Sequence, residues 1–213
     1  MLRDGTSPGR DSSSGLSRAL KPAVFIVGLL PFVYLVWAAV ADRLGPNPAE
    51  ALVRASGDWT LRSLCLVLAV TPLRVMFDLA DLARIRRMVG LFVYFYASLH
   101  LSCYAWFDMG LQPADILDDI IKRPFILVGF LSWLALTALA LTSWDRAIRI
   151  LGGRRWRLLH RLVYLIAGLA ILHFFWMRAG KNDFAEVVVY AGILSALLTW
   201  RSEEHTSELQ SRP

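Results

Sequence analysis

The sequence predicts an all-α membrane protein, a polytopic helical bundle of about six transmembrane helices with both termini in the cytoplasm. Of its 213 residues, 56% are hydrophobic, and the mean hydropathy of +0.50 exceeds that of ordinary soluble domains. Several apolar runs reach the roughly 20 residues that a helix needs to cross the hydrocarbon core of a bilayer. The uneven distribution of Lys and Arg among the connections indicates the orientation.

Six apolar segments mark the predicted spans. They lie at about residues 22–41, 59–75, 88–107, 124–143, 157–177 and 184–200. The second segment is the weakest, because it is short and contains Arg62 and Pro72. Tryptophans lie at or near most of the predicted ends, which is typical of residues at the interface between membrane and water.

The connections between the spans differ in positive charge. Thirteen Lys and Arg residues lie before the first span or in and at the edges of the connections that follow the second and fourth spans, against six in the other connections. Because cytoplasmic connections are enriched in Lys and Arg, both termini are predicted to be cytoplasmic. The loop between spans three and four then faces outward; it contains Asp108, Asp115, Asp118 and Asp119. Topology therefore explains the net charge of +6, and no nucleic-acid-binding motif accompanies it.

The two ends of the chain differ in composition from the predicted membrane domain at 22–200. Residues 1–21 are rich in Ser, Gly and Arg and are predicted to form a disordered cytoplasmic tail. The last segment, RSEEHTSELQSRP at 201–213, resembles the translated sequence of a common DNA-sequencing adapter. We interpret it as a non-native artefact, so His205 is excluded from the search for a site.

The cysteines do not indicate a haem-attachment site or a metal site. Cys65 and Cys103 both lie inside apolar segments, and neither a CxxCH haem-attachment motif nor paired CxxC motifs are present. We interpret both cysteines as small buried hydrophobic residues.

The three remaining histidines lie in predicted spans three and five. At 1.5 Å per residue, His100 lies about 20 Å above Arg87 and His173 about 24 Å above Arg157, so both share one level on different helices. His160 lies only about 5 Å in, near the cytoplasmic surface. Two imidazoles at one level can supply both axial ligands of a haem iron. The alternative is that each histidine hydrogen-bonds a Ser, a Tyr or a backbone carbonyl.

Several longer motifs identify a family. In chain order they are GLLPFVYLVWA, AVTPLR, RIRRMVGL, ASLHLSCYAW, IIKRPFILVGFLSW, LALTSWDRAIRILGGRRWRLLHRLVYL and ILHFFW. With these motifs the chain resembles, over about residues 22–200, the ferric-reductase-like transmembrane domain family. Within that family it resembles the haem-binding membrane subunits of methionine-sulfoxide reductase systems.

The resemblance implies two kinds of cofactor. One is haem b, one or two per chain, with His100 and His173 as iron ligands and His160 as a further haem-linked position. The other is FMN, bound by Arg86 and Arg87, whose guanidiniums can hold a phosphate bidentately. Without the resemblance, these arginines would be interpreted as ordinary topology anchors. No catalytic residue is assigned.

The resemblance also implies a function in the bacterial inner membrane, as a multi-pass protein. The chain would be a non-catalytic redox subunit that takes electrons from the respiratory quinone pool or from a flavin reductase. Its partner would be a periplasmic molybdopterin-containing reductase, which forms a heterodimer with it and reduces methionine sulfoxide in oxidised proteins. No nucleic acid is involved.

Two other functions stay open. A stand-alone ferric reductase would share the haem and differ only in passing its electrons to an external metal. A histidine-based transporter or proton channel would require intramembrane Asp or Glu, which predicted spans three and five lack.

Overall fold

The computed structural model describes residues 11–180 and 182–210, with only the backbone described for 11–18 and 201–210. This part of the chain contains α-helices and no strand. The helices are α1 Asp11–Val40, α2 Pro48–Met76, α3 Leu82–Cys103, α4 Pro113–Lys122, α5 Pro124–Leu141, α6 Asp145–His160, α7 Leu162–Ala179 and α8 Ala185–Gln210. The predicted all-α class is therefore confirmed.

The predicted membrane bundle is also confirmed, with one difference in its count of spans. Within the described residues, five stretches of helix are long and apolar enough to cross a membrane, judged by length and composition. They are Ala19–Val40, Pro48–Met76, Leu82–Asp108, Pro124–Leu141 and Asp145–Ala179. The predicted sixth span corresponds to a shorter apolar helix, Ala185–Trp200 in α8. The chain is a multi-pass membrane protein.

Helix α2 begins at Pro48, well before the predicted start at residue 59. The Asn47 side chain caps this end by accepting a hydrogen bond from the Glu50 backbone N–H at 3.2 Å, and Pro48 occupies the first turn. An ion pair of 2.6 Å between Arg54 and Glu50 lies on the added part of the helix. These polar residues hid the helix from a search for apolar segments.

The loop predicted between spans three and four is partly helical. Helix α3 continues into a π-helical turn, Tyr104–Asp108, and the ten-residue helix α4 follows it. The Tyr104 hydroxyl donates a buried hydrogen bond of 2.7 Å to the Asp119 carboxylate. This bond connects the end of α3 to α4.

The segment predicted as the loop after span four forms most of α6. Gly152 interrupts the helix with φ of +73° and ψ of 149°, a backbone conformation that glycine adopts without the steric cost of a side chain. No helix was predicted between the end of span four and residue 157.

The helices at both ends of the described chain extend beyond the predicted membrane domain at 22–200. Helix α1 begins at Asp11, so residues 11–21 are helical where a disordered tail was predicted. Asp11 and the serines that follow it are residue types that suit the start of a helix. Residues 1–10 lie outside the described residues. At the other end, α8 continues to Gln210, residues 211–213 are not described, and the adapter origin of 201–213 stays a prediction.

The core lies between the two central helices and their neighbours. Five of its large aliphatic residues are only 1–2% exposed and come from α2, α3, α7 and α8; they are Leu64, Leu68, Val93, Ile166 and Leu194. Helix α1 packs outside α3, where the Tyr96 hydroxyl donates a 2.6 Å hydrogen bond to the Gly28 carbonyl. Helices α2, α3, α5 and α7 surround a central cavity.

Candidate functional site

His100 of α3 and His173 of α7 face each other inside the bundle. Their ring centroids are 6.2 Å apart and their planes are 79° apart. An imidazole nitrogen lies about 2.0–2.1 Å from a bound metal such as zinc, so two rings on opposite sides of one ion have centroids about 6 Å apart. The two histidines lie at the same level of the bundle, as predicted. The distance between their rings is the distance expected for two imidazoles that bind one metal ion from opposite sides.

Both rings are held through the same nitrogen. His100 Nδ1 lies 2.9 Å from the Val53 carbonyl oxygen, and His173 Nδ1 lies 2.7 Å from the Phe125 carbonyl oxygen. When Nδ1–H donates to a carbonyl, the lone pair on Nε2 remains available to a metal. A backbone carbonyl in this role is the usual partner of a metal-binding histidine.

A glycine lies beneath each ring. A β-carbon at Gly57 would lie 3.2 Å from the His100 ring, and one at Gly129 would lie 2.9 Å from the His173 ring. Gly57 follows Val53 by four residues, and Gly129 follows Phe125 by four. Helices α2 and α5 therefore offer the same local arrangement, with a carbonyl that accepts from the imidazole and a glycine one turn later that leaves room for it.

The histidines line a cavity of about 370 Å³. Its volume is within the range of about 300–1,000 Å³ that small-molecule and cofactor sites occupy. Apolar side chains such as Leu136 and Ile166 form most of its wall. Arg54, Arg123 and Arg178 lie at one end of the cavity, and each forms an ion pair with a carboxylate.

This donor set fits haem better than a bare metal ion. Across the described residues, no group of three or more His, Cys, Asp or Glu side chains could hold a metal by itself. Two opposed imidazoles suit a ligand that brings its own equatorial nitrogens, and the apolar wall suits a porphyrin. The arginines at the end of the cavity can bind carboxylates such as the haem propionates.

His160 lies apart from this pair. Its Nε2 is 3.3 Å from the Thr142 hydroxyl, and its ring stacks on Trp156 at a centroid distance of 4.0 Å. It does not line the cavity between the other two histidines. A haem-linked role for His160 stays a prediction.

The two arginines predicted to bind FMN lie at the same end of the bundle as His160. Arg87 Nη2 is 2.7 Å from the Asp145 carboxylate, an ion pair that connects α3 to α6. Arg86 lies close enough to His160 to interact with it electrostatically. The structure therefore puts Arg86 within electrostatic range of His160 and gives Arg87 a protein partner. FMN binding stays a prediction.

Sequence reasoning missed the two glycines and the two carbonyls. The histidines were found because imidazoles are rare at membrane depth, whereas glycine is common in transmembrane helices. The available signal was a glycine at the same level as each histidine on the neighbouring helix. Finding it requires the rotation of each helix about its axis, which the apolar pattern does not define.

Comparison with known proteins shows the family. A profile described as ferric reductase like transmembrane component matches residues 56–171. The "Protein-methionine-sulfoxide reductase heme-binding subunit MsrQ" of Polaromonas naphthalenivorans (strain CJ2) is 62% identical over 197 residues, covering 92% of this chain and 90% of that protein.

More distant relatives with the same description give the same result. The Bordetella parapertussis (strain 12822 / ATCC BAA-587 / NCTC 13253) protein is 50% identical over 182 residues, 85% of this chain and 88% of its own. The Xanthomonas campestris pv. campestris (strain B100) protein is 44% identical over 192 residues, 86% and 85% of the two chains. No solved structure matches the chain. From these similarities, the chain belongs to the MsrQ family of ferric-reductase-like transmembrane proteins.

Proposed function

We propose that this protein is the haem-binding electron-transfer subunit of a protein-methionine-sulfoxide reductase system in the bacterial inner membrane. One observation supports it most strongly: His100 and His173 face each other at 6.2 Å across an apolar cavity. The relatives that cover most of the chain are described as heme-binding subunits of such a system. The chain would transfer electrons and would not itself reduce the sulfoxide.

The residues around the cavity have defined tasks in this proposal. When bound, a haem b accepts and releases one electron at a time. Val53 and Phe125 orient the two imidazoles through their carbonyl oxygens, and the apolar wall excludes water. Arg54 and Arg178 at the end of the cavity would neutralise the propionates.

The same contacts disfavour a proton channel. A histidine that relays protons must use both ring nitrogens in turn. Here Nδ1 of His100 and Nδ1 of His173 are each engaged by a backbone carbonyl, which accepts hydrogen bonds and cannot supply a proton.

The proposed electron path begins at a donor in the membrane or on its cytoplasmic side and ends at an acceptor on the outer side. Electrons would come from the quinone pool, with a flavin reductase as a second source, and FMN would bind at Arg86 and Arg87. The acceptor would be an MsrP-like periplasmic molybdopterin subunit, which forms a heterodimer with this chain. The positive-inside rule supports this orientation, because it puts the arginines inside and the acidic loop before α5 outside.

A visible spectrum tests the proposal. Protein purified after expression with haem supplied should show the absorption bands of a low-spin, bis-histidine b-type haem. His100→Ala and His173→Ala should each remove most of the spectrum, because either change leaves the iron one ligand short. His160→Ala should retain the haem of that pair. A wild-type protein that purifies folded and without haem would refute the proposal.

A further inference from the structure

Arg62 is a charged residue at membrane depth with no place in the mechanism above. At 1.5 Å per residue, its Cα lies about 12 Å along α2 from Arg54 and about 18 Å from Arg74, the basic residues nearer the two ends. An intramembrane arginine is costly, and such residues usually mark functional sites. Its side chain is nevertheless exposed on the outside of the bundle.

Two aromatic residues hold the Arg62 side chain. Nε of Arg62 donates a 3.2 Å hydrogen bond to the Tyr190 hydroxyl of α8. The guanidinium carbon lies 4.9 Å from the centroid of the Trp59 ring, at the distance of a cation–π contact. Among the described residues, no carboxylate lies within ion-pair distance of this guanidinium, and Asp58 and Glu186 interact with it electrostatically from farther away.

This cluster is separated from the histidine cavity by one layer of side chains. The Tyr190 ring packs edge-on against Phe174 with centroids 6.0 Å apart, and Phe174 lines the cavity. On α2, Asp58 and Leu61 also line the cavity, and they lie next to Trp59 and Arg62 in the sequence. A molecule held at Arg62 and Tyr190 would therefore lie close to the cavity while remaining in the lipid.

The available groups define the chemistry of a ligand. Arg62 has Nη–H donors that remain after Nε binds Tyr190, and the Tyr190 hydroxyl accepts from Arg62, so its own proton is free for donation. Two neighbouring hydrogen-bond donors on a lipid-facing surface suit a lipid-soluble ligand that has oxygen acceptors. The carbonyl oxygens of a quinone headgroup have this property, and its isoprenoid tail would extend into the bilayer.

We propose that Arg62 and Tyr190 form a docking site for the headgroup of a membrane quinone, between α2 and α8. The inference rests on the proposed function, for which it supplies the entry point of the electron donor. A phospholipid phosphate is the less suitable occupant, because headgroups lie at the membrane interface and Arg62 lies well inside the span.

Quinone binding can be measured without any turnover. Wild-type protein containing haem is placed in nanodiscs of zwitterionic lipid and titrated with decylubiquinone, followed by tryptophan fluorescence. Arg62→Gln should raise Kd about tenfold or more, since it removes a charged donor. Tyr190→Phe should raise Kd several-fold. Matched controls are Arg161→Gln, an exposed arginine outside the cluster, and Tyr34→Phe, an exposed tyrosine of α1; both should bind like wild type.

The outcomes separate this site from the other possibilities. If Arg62→Gln and Tyr190→Phe both bind the quinone with the wild-type Kd, the proposed site is wrong. This holds even if both variants unfold at a lower temperature than the wild type. Loss of copurified phospholipid phosphate with unchanged Kd identifies a lipid site and overturns it too. If Arg62→Gln does not fold, Tyr190→Phe alone decides. The haem spectrum of each sample tests the proposed function separately, because quinone binding is measured by tryptophan fluorescence and not by haem absorption.

Discussion

The positions of the two histidine rings depend on the residues that lie beneath them. Each imidazole donates through Nδ1 to a carbonyl and rests on a glycine four residues later in the neighbouring helix. A side chain at either glycine would push the imidazole ring out of the position that it occupies in the structure. Gly57 and Gly129 are therefore positioning residues for the two imidazoles.

The first prediction concerns Gly129→Ala. The new β-carbon would lie 2.9 Å from Cε1 and Nδ1 of His173, so the ring must shift, at a cost of about 1–3 kcal/mol. The haem content of the purified protein should fall and the spectrum should lose bis-histidine character. Gly57→Ala, with 3.2 Å to His100, should have the smaller effect. Gly168→Ala on α7, where nothing lies within 4 Å, is the control. Equal haem in all three variants would contradict the positioning role.

The second prediction concerns the arginine pair. If Arg86 and Arg87 bind the FMN phosphate, Arg86→Gln should weaken FMN binding by about 1.5–3 kcal/mol, a tenfold or greater change in Kd. Asp145→Asn removes the carboxylate that now pairs with Arg87, so it should strengthen FMN binding. Equilibrium dialysis with FMN measures both. If a double Gln variant retains the full affinity for FMN, the two arginines are topology anchors only.

At the scale of the helices, the length of the apolar segments predicted the helices that cross the membrane. It did not predict the helical segments that lie outside the apolar segments. Helices α4 and α6 and the beginning of α2 carry many charges, so a hydropathy pattern does not reveal them. Local signals exist only for two of them: Asn47 and Pro48 mark the start of α2, and Pro113 marks the start of α4. The histidine pair was predictable because it needed only the direction of each span and the rise per residue. The glycines under the rings were not, because they depend on helix rotation.

The π-helical turn at the end of α3 provides the third prediction. Tyr104 donates to Asp119 in a buried contact, and Asp119 also pairs with Arg123 at 2.8 Å. Tyr104→Phe leaves the buried carboxylate with one partner fewer, at a cost of about 1–3 kcal/mol. The midpoint of thermal unfolding in detergent should fall, whereas Tyr34→Phe on the exposed face of α1 should leave it unchanged. An unchanged midpoint in Tyr104→Phe would show that α4 does not depend on this bond.

At the scale of the whole molecule, the structure separates two groups of polar residues. The ion-paired arginines at the end of the cavity lie at one end of the bundle, and the Arg87–Asp145 pair with His160 lies at the other. The sequence predicts that the second end faces the cytoplasm, because the connections there carry most of the Lys and Arg residues. The fold is compatible with this orientation, and the membrane side of each end stays a prediction.

The fourth prediction tests that orientation. Single cysteines are introduced as Arg43→Cys, in the connection after α1, and Ala80→Cys, in the connection after α2; both positions are exposed. In intact spheroplasts, a membrane-impermeant maleimide should label Arg43→Cys directly and Ala80→Cys only after the membrane is permeabilised. The protein without either substitution gives the background from Cys65 and Cys103. The reverse labelling pattern would invert the proposed electron path.

The pairing of each histidine with the helix that supports it has a consequence for biogenesis. Helix α2 supports the ring on α3, and α5 supports the ring on α7, so each half of the site is completed within its own part of the chain. The amino-terminal half can be shaped at the translocon before the carboxyl-terminal half has left the ribosome. Capture of haem would then bring the two halves of the site together, and a cell short of haem should accumulate a chain that is inserted in the membrane but in which His100 and His173 are not held face to face.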